Sequence, residues 1–356
     1  MLARAAVAAA RRGLLPRALT GGIADVPTPT ADLYFAHAFR DEIEAGRTSS
    51  GTLLKRRGAN AFEWSSADDR GFIVLRRCEP ALLDEIERAR RDGPVRLTTL
   101  LDDDVWAIER DRNVPLGYRT RSWFARQIVV ERALALSDAV VATSDVLMDT
   151  LSVHAPRTAV HRVDPCLLRP PAPLDHHENG PLEILLADTR SHDADAAAAA
   201  PSIAAFLEGA PEARLTTFLG DRAPSCLRRG GVTHLSPLSW PAFRQWSERR
   251  RFHVLIAPRE PTPVNQARSL TRLLDAATFG AVGLFGANDA IEEALDRGGL
   301  PDWTFGHVEW TQALARLSDR PDLRRQLAER TASVAAELGA VSRQKAVWTE
   351  IVPQLA

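Results

Sequence analysis

The sequence predicts an α/β protein made of two Rossmann-like βαβ domains that face each other across a cleft. Three observations carry that prediction. Short apolar runs alternate with helix-patterned segments along the chain, which is the pattern of parallel sheets flanked by helices. The 356 residues, at roughly 100–200 residues per domain, suit two domains. A proline-dense stretch, Pro165-Cys-Leu-Leu-Arg-Pro-Pro-Ala-Pro173 followed by polar Asp175–Gly180, has the composition of a stiff linker and splits the alternation in two. In such folds ligands bind beyond the carboxyl ends of the strands.

In the first half, Leu33–Phe35, Phe72–Leu75, Val95–Leu101 and Ala139–Ala142 read as strands. Pro80–Arg91 reads as a helix, with proline in its first turn and Leu82, Leu83 and Ile86 on one face. Trp123–Leu136 is a second helix, and Ser144 with Asp145 caps a third over Val146–Leu151. The second half restarts the alternation with strands at Glu183–Ala187, Arg214–Leu219, Val232–Leu235, His253–Ala257 and Ala281–Phe285. Its helices are expected near Ala194–Glu208, Pro241–Glu248, Arg268–Thr278, Asp289–Asp296 and Pro321–Leu338, with a last one near Arg343–Pro353. The division that follows is a basic segment over residues 1–22, a first domain over 23–168, a linker over 169–180 and a second domain over 181–340. The terminal helix in 341–356 is expected to cross back to the first domain.

Hydrophobic residues at 45% and charged residues at 26% exclude a disordered or fibrous chain. No run approaches the 18 or so apolar residues a bilayer span needs. Lys+Arg at 45 against Asp+Glu at 46 gives a net charge of −1, which speaks against a dedicated nucleic-acid binder. Cys78, Cys166 and Cys226 are odd in number and far apart, so neither a zinc site nor a disulfide framework is indicated, and a reducing, cytoplasmic setting is expected. Residues 1–22 carry Arg4, Arg11, Arg12 and Arg17 with no acidic residue before Asp25. Three readings of that segment stand: a targeting peptide, a helix on an anionic inner-membrane surface, or an ordinary basic lead-in.

Three constellations can carry chemistry. Asp102-Asp103-Asp104 follows the Val95–Leu101 strand directly. Three adjacent carboxylates repel one another unless a cation, donor groups or solvent offset them. They read as hard oxygen ligands for a divalent metal, as acceptors or a general base for substrate hydroxyls, or as a solvated turn in which Asp104 caps a short helix over Val105–Ile108. Arg190-Ser-His-Asp-Ala-Asp195 opens the helix after the Glu183–Ala187 strand. A helix N-terminus with Arg190 and His192 beside it suits a phosphate, the alternative being an ordinary surface loop. Asn265-Gln-Ala-Arg-Ser-Leu-Thr-Arg-Leu-Leu-Asp275 follows the next strand. On one helix, Arg268, Arg272 and Asp275 would share a face, with Ser269 beside them. That face is a clamp for a diphosphate plus a carboxylate for sugar hydroxyls, or a surface helix with an Arg–Asp pair. Gly280 and Gly286 flank the following strand and permit close backbone approach. P-loop, H-E-x-x-H, G-x-S-x-G and G-x-G-x-x-G motifs are missing from the sequence.

Together these segments resemble retaining GT-B glycosyltransferases of the "glycosyltransferases group 1" (family 4-like) class, over about residues 95–350. Leu136-Ser-Asp-Ala-Val-Val-Ala-Thr-Ser144 matches that class's "a-D-x-v-x-x-x-S" strand. Ala187-Asp-Thr-Arg-Ser-His-Asp-Ala-Asp195 resembles its "G-T-x-x-H-x-x-D" signature, and Ala277–Leu284 its "a-x-G-x-P-V" strand. In the segment from Ala257 to Asp275, Asn265, Arg268, Ser269, Arg272 and Asp275 fall on the family's Asn, Lys, Ser, Lys and Glu positions. Val264 stands where the family has Phe, and Ala267 where it has the first Glu of an E-x7-E pair. Leu100-Leu-Asp-Asp-Asp-Val-Trp106 is similar to an "i-D-D-D-l-W" segment of relatives that build bacterial surface polysaccharides.

The resemblance implies metal-independent transfer of a hexose from a nucleotide diphosphate sugar to a hydroxyl of a glycan or lipid-linked saccharide. It implies no cofactor beyond that co-substrate. It makes Arg190, Asn265, Arg268, Ser269, Arg272 and Asp275 the donor-binding set, Asp102, Asp103 and Asp104 the acceptor side, and Asp103, His192 and Arg272 the catalytic candidates. Two other readings remain: a GT-B module that has lost catalysis and binds glycan or a partner transferase, motivated by Ala267 and Val264, and a nucleotide-sugar epimerase.

Overall fold

The structure is a computed structural model that describes residues 28–56, 60–178, 180–188, 190–286, 288–299 and 309–356. The basic segment 1–22 lies outside the described residues. The chain divides into two compact units. The first takes the chain through Asp111, Leu116–Cys166 and Val341–Ala356, and the second takes Arg112–Pro115 and Leu167–Ala340.

The first unit is built on a six-stranded sheet: β1 (Thr52–Lys55), β2 (Ala61–Ser65), β3 (Arg70–Leu75), β4 (Arg96–Leu100), β5 (Ala139–Ala142) and β6 (Ala159–Arg162), side by side in chain order. β1, β2 and β3 form an antiparallel meander, whereas β3 through β6 run parallel. Parallel neighbours need a crossover. The helices Pro80–Asp92 and Asp145–His154 supply two, and a helical run from Leu116 to Leu136, with one wider π turn at Arg126–Val130, supplies the third. Ser144 caps the Asp145–His154 helix as expected, its hydroxyl accepting from Leu147 N at 3.3 Å.

One expected strand is not a strand. Leu33–Phe35 lies in a helical π turn, Asp32–Ala36, with all three residues buried. Three consecutive apolar residues look the same in a buried helical turn and in a buried strand, and only the partners distinguish them. Here the partners are aromatic: Phe35 packs on Phe39, Phe62 and Trp348 at ring separations of 4.8, 4.7 and 5.0 Å. Trp348 belongs to the helix Val341–Ile351, and its indole donates to Tyr34 O at 2.6 Å. Gln344 of the same helix donates to Leu33 O and Asp164 O, each at 2.8 Å.

The second unit has a five-stranded, all-parallel sheet: β7 (Glu183–Leu186), β8 (Arg214–Thr217), β9 (Val232–His234), β10 (Val254–Ala257) and β11 (Val282–Phe285). The spatial order is β11-β10-β7-β8-β9. The chain therefore works outward from β7 in one direction, then returns to its other side at β10. That reversal is the doubly wound topology, and its switch point lies beyond the carboxyl ends of β7 and β10. The segment 169–180 is no bare spacer: Ala172 N donates to Ala277 O at 3.0 Å, Arg169 donates to Ser247 O at 2.7 Å, and His177 is buried. Among the described residues no helix is long and apolar enough to cross a membrane.

Candidate functional site

The residues that follow β7 and β10 meet at the switch point. Asp188, two residues past β7, is fully buried and pairs with Arg259 at 2.9 Å. Arg259, two residues past β10, is itself only 7% exposed. It reaches this place because Gly286 has no side chain: a Cβ there would lie 2.2 Å from Arg259 N and 2.5 Å from its carbonyl oxygen. Burial weakens the proton affinity of Arg259, and Asp188 works against that loss.

His192 and Asp195 flank the start of the helix Asp193–Gly209 and hydrogen-bond to each other at 2.9 Å. Asp195 also accepts from Glu260 N at 2.9 Å and from the Asn265 amide at 3.0 Å, and that amide reaches Glu260 O at 3.0 Å as well. The pairing of Asp195 with Asn265 ties the loop after β10 to the helix after β7. His192 is buried, and burial together with Arg259, Arg268 and Arg272 holds its proton affinity far below the ordinary histidine range. Burial favours its neutral form, and three arginines are near enough for their charge to act on it. The acidic first turn of the helix, Asp193 and Asp195, already serves the helix N-terminus. Arg190 is exposed and makes no hydrogen bond or ion pair with a described residue.

Arg268 and Arg272 do not share one helix, contrary to the expected helix Arg268–Thr278. A short helix, Pro263–Gln266, ends before Arg268, and the next begins only at Thr271 and runs to Phe279. The break is stabilised from outside. Asn288, cap of the helix Asp289–Arg297, donates to Asn265 O at 2.9 Å and Arg268 O at 3.2 Å while accepting from Ile291 N at 2.9 Å. Arg268 is therefore set by a long-range amide, and Ser269 Oγ lies 3.0 Å from Thr271 Oγ1 in the same break. Arg272 and Asp275 do share a helix and pair at 2.6 Å. Burial raises the proton affinity of the Asp275 carboxyl, with Arg272 opposing. Ala267, at the position of the family's first Glu, is buried.

In the first unit the three aspartates have separate tasks. Asp104 caps the helix Val105–Arg110, accepting from Ala107 N at 2.8 Å, and also accepts from Thr150 at 3.2 Å. Asp102 accepts from Thr30 at 2.5 Å and lies 3.5 Å from the Arg76 Nε. Asp103 is 4% exposed and is held by the Arg76 guanidinium, with Tyr118 OH at 3.4 Å. The Asp103 carboxylate thus meets a guanidinium inside the protein. Burial works against charge on Arg76, but Asp102, Asp103 and Tyr118 outweigh it and keep the guanidinium more strongly protonated than usual. Among the described residues no grouping of His, Cys, Asp and Glu could hold a metal ion.

No protein-family model matches the sequence, and a comparison with curated proteins found no match. Solved structures do match. A TarM mutant from S. aureus, in complex with fondaparinux, alpha-GlcNAc-glycerol and UDP, superposes with a TM-score of 0.54 at 7% identity over 85% of this chain and 66% of that one. The fold is GT-B. An alpha,alpha-trehalose-phosphate synthase (UDP-forming) from Burkholderia vietnamiensis is similar at 12% identity and a TM-score of 0.48, over 77% of this chain and 73% of that one. An O-GlcNAc transferase mutant from Thermobaculum terrenum matches at 15% identity and 0.44, over 75% and 53% of the two chains. Within the GT-B fold, the second unit's switch point gathers Asp188, His192, Asp195, Arg259, Asn265, Arg268, Arg272 and Asp275. Arg259 and Asn288 escaped the sequence reading. The signal for Arg259 was an arginine between prolines directly after a strand, and for Asn288 an asparagine at a helix start.

Proposed function

We propose that this protein is a glycosyltransferase that moves a hexose from a nucleotide diphosphate sugar to a hydroxyl of a glycan or lipid-linked saccharide, without a metal ion. The observation that carries the reading is the set of residues held beyond β7 and β10 by the Asp188–Arg259, Asp195–Asn265 and Arg272–Asp275 contacts, with the charges of Arg259, Arg268 and Arg272 all acting on buried His192. Asp188 pairs with Arg259 and Asp275 with Arg272, and a diphosphate is a ligand that the remaining guanidinium donors of the three can meet with charge-assisted hydrogen bonds. As the glycosidic bond to the donor breaks, negative charge grows on the leaving diphosphate, and guanidinium groups already in place stabilise it without reorganising. Asp275, one turn along from Arg272, is the carboxylate for donor hydroxyls. His192 supplies one hydrogen bond whose direction Asp195 fixes. Asn265 and Asn288 act as positioning residues, holding the Arg268 break in shape. Support also comes from the GT-B fold and from TarM, whose solved complex contains UDP.

A second reading has its own observation. Arg272 and Asp275 pair with each other, and the position of the missing Glu is a buried alanine, which suits a module that binds a nucleotide sugar or glycan without turning it over. Transfer and hydrolysis assays over a donor panel separate the two. Turnover with one donor, falling about a hundredfold in Arg272→Ala, supports the transferase. Donor binding without turnover supports the binding module. Turnover unchanged in Arg272→Ala removes the role given to that residue.

A further inference from the structure

The donor site leaves the strand ends of the first unit unused. β3 ends at Leu75, and Arg76 N still donates to Leu100 O at 2.6 Å. Arg77 N then turns back to Leu75 O at 2.8 Å, closing a three-residue turn around Arg76, whose φ is +67°. A turn of this kind at positive φ is strained for any residue with a Cβ. Arg76 is the one non-glycine residue with positive φ among the described residues. Such strain persists only where the surroundings enforce it, and here they do. The Arg76 guanidinium is tied to Asp103, lies 3.5 Å from Asp102 and donates to Tyr118 OH at 3.0 Å.

The residue that follows the turned Arg76 is a second arginine, Arg77, within reach of the first one's charge. Arg77 is half-buried and close enough to Arg76, Tyr118, Asp102 and Asp103 to feel the charge of each. Burial and Arg76 both work against its charge. Its side chain makes no hydrogen bond or ion pair with a described residue. The carboxylates nearby are taken: Asp103 by Arg76 and Tyr118, Asp102 by Thr30 and Arg76. A partly buried guanidinium without a carboxylate is costly, and an incoming anion completes it.

We propose that Arg77, following the strained Arg76 turn at the carboxyl ends of β3 and β4, binds a phosphate or carboxylate group on a hydroxyl-bearing ligand, so that the acceptor is a charged saccharide. The word acceptor rests on the glycosyl-transfer reading, whereas the anion site stands on the first unit alone. Asp102, held by Thr30 and Arg76, is more exposed at its side chain than Asp103 (14% against 3%).

Titration calorimetry on the full chain with glucose 6-phosphate, glucuronate and glucose tests the proposal, with UDP as a separate titrant. The expected result is binding of at least one charged sugar about tenfold or more tighter than glucose. Affinity should fall about tenfold in Arg77→Gln and recover in part in Arg77→Lys, with UDP binding unchanged. The charged sugar that binds tells phosphate from carboxylate, and competition by inorganic phosphate checks the former. No heat with either charged sugar, equal affinity for glucose, or an unaltered Arg77→Gln overturns the proposal. Should Arg77→Gln fail to fold, the salt dependence of the unaltered protein decides, because charged-sugar affinity that does not fall with ionic strength overturns the site. Failure of UDP to bind the unaltered protein counts against the donor-site reading alone.

Discussion

At Asp188 and Arg259 two charges leave water together, 2.9 Å apart, at the end of two central strands. Removing either charge from solvent costs several kcal/mol, so a buried pair of this kind is weak evidence of stabilisation. Its effect is positional, because it fixes Arg259 where His192 and Arg272 feel its charge. Gly286 is the residue that makes room. In Gly286→Ala the new methyl would meet backbone, not a flexible side chain end, so the Arg259 loop must shift. We expect a loss of about 1–3 kcal/mol in denaturant unfolding, with weaker UDP binding beyond what the lower stability explains. Residues read correctly from sequence are those whose roles are local: Asp104 and Ser144 as caps, Arg272 and Asp275 as an i, i+3 pair. Arg268 was misplaced because the break beneath it is set by Asn288, 20 residues away, and no periodicity encodes that contact.

Among the elements, the central parallel strands were legible because they are short, apolar and enclosed; β10 and β11 are buried at every position, whereas the edge strand β6, with no buried residue, was not. The meander was not legible in its first two strands. β1 buries one residue of four, and β2 mixes Glu63 and Ser65 among its buried residues, so neither shows a continuous apolar run. The Asp32–Ala36 turn failed for the opposite reason, since it is too apolar for its period to show. That turn depends on the helix Val341–Ile351, through the Trp348 indole and ring. Trp348→Ala should cost about 3–5 kcal/mol. Its effect should appear as lost protection of Leu33–Phe39 in hydrogen exchange, with the sheet of the second unit little changed.

For the whole molecule, both sign and place of charge matter more than the net value of −1. Besides the arginines at the switch point, the second unit holds three histidines in mutual contact, His176, His177 and His253, at ring separations of 4.4 to 5.2 Å. Burial pushes His177 down to about 3 and His253 to about 4. The Nδ1 of His253 accepts from Glu183 N at 2.9 Å, and Arg324 Nε faces the Nδ1 of His177 at 3.2 Å, so protonation there would set donor against donor. Folded values below the ordinary histidine value of about 6.5 mean that the unfolded chain binds more protons between about pH 6.5 and 4. Stability is therefore full above pH 6.5 and falls as the pH drops through that window. A melting temperature unchanged between pH 7 and 5 would contradict this packing.

The central claim is that the switch point of the second unit binds a nucleotide diphosphate through Arg259, Arg268 and Arg272. Calorimetric titration of the full chain with UDP and GDP, alongside the double variant Arg268→Ala/Arg272→Ala with its melting temperature recorded, tests it most directly. The account predicts saturable binding of one nucleotide to the unaltered protein and an affinity at least about a hundredfold weaker in the folded double variant, since two charge-assisted contacts are lost. Undiminished nucleotide binding in a folded double variant, or no binding of either nucleotide to the unaltered protein, would contradict it.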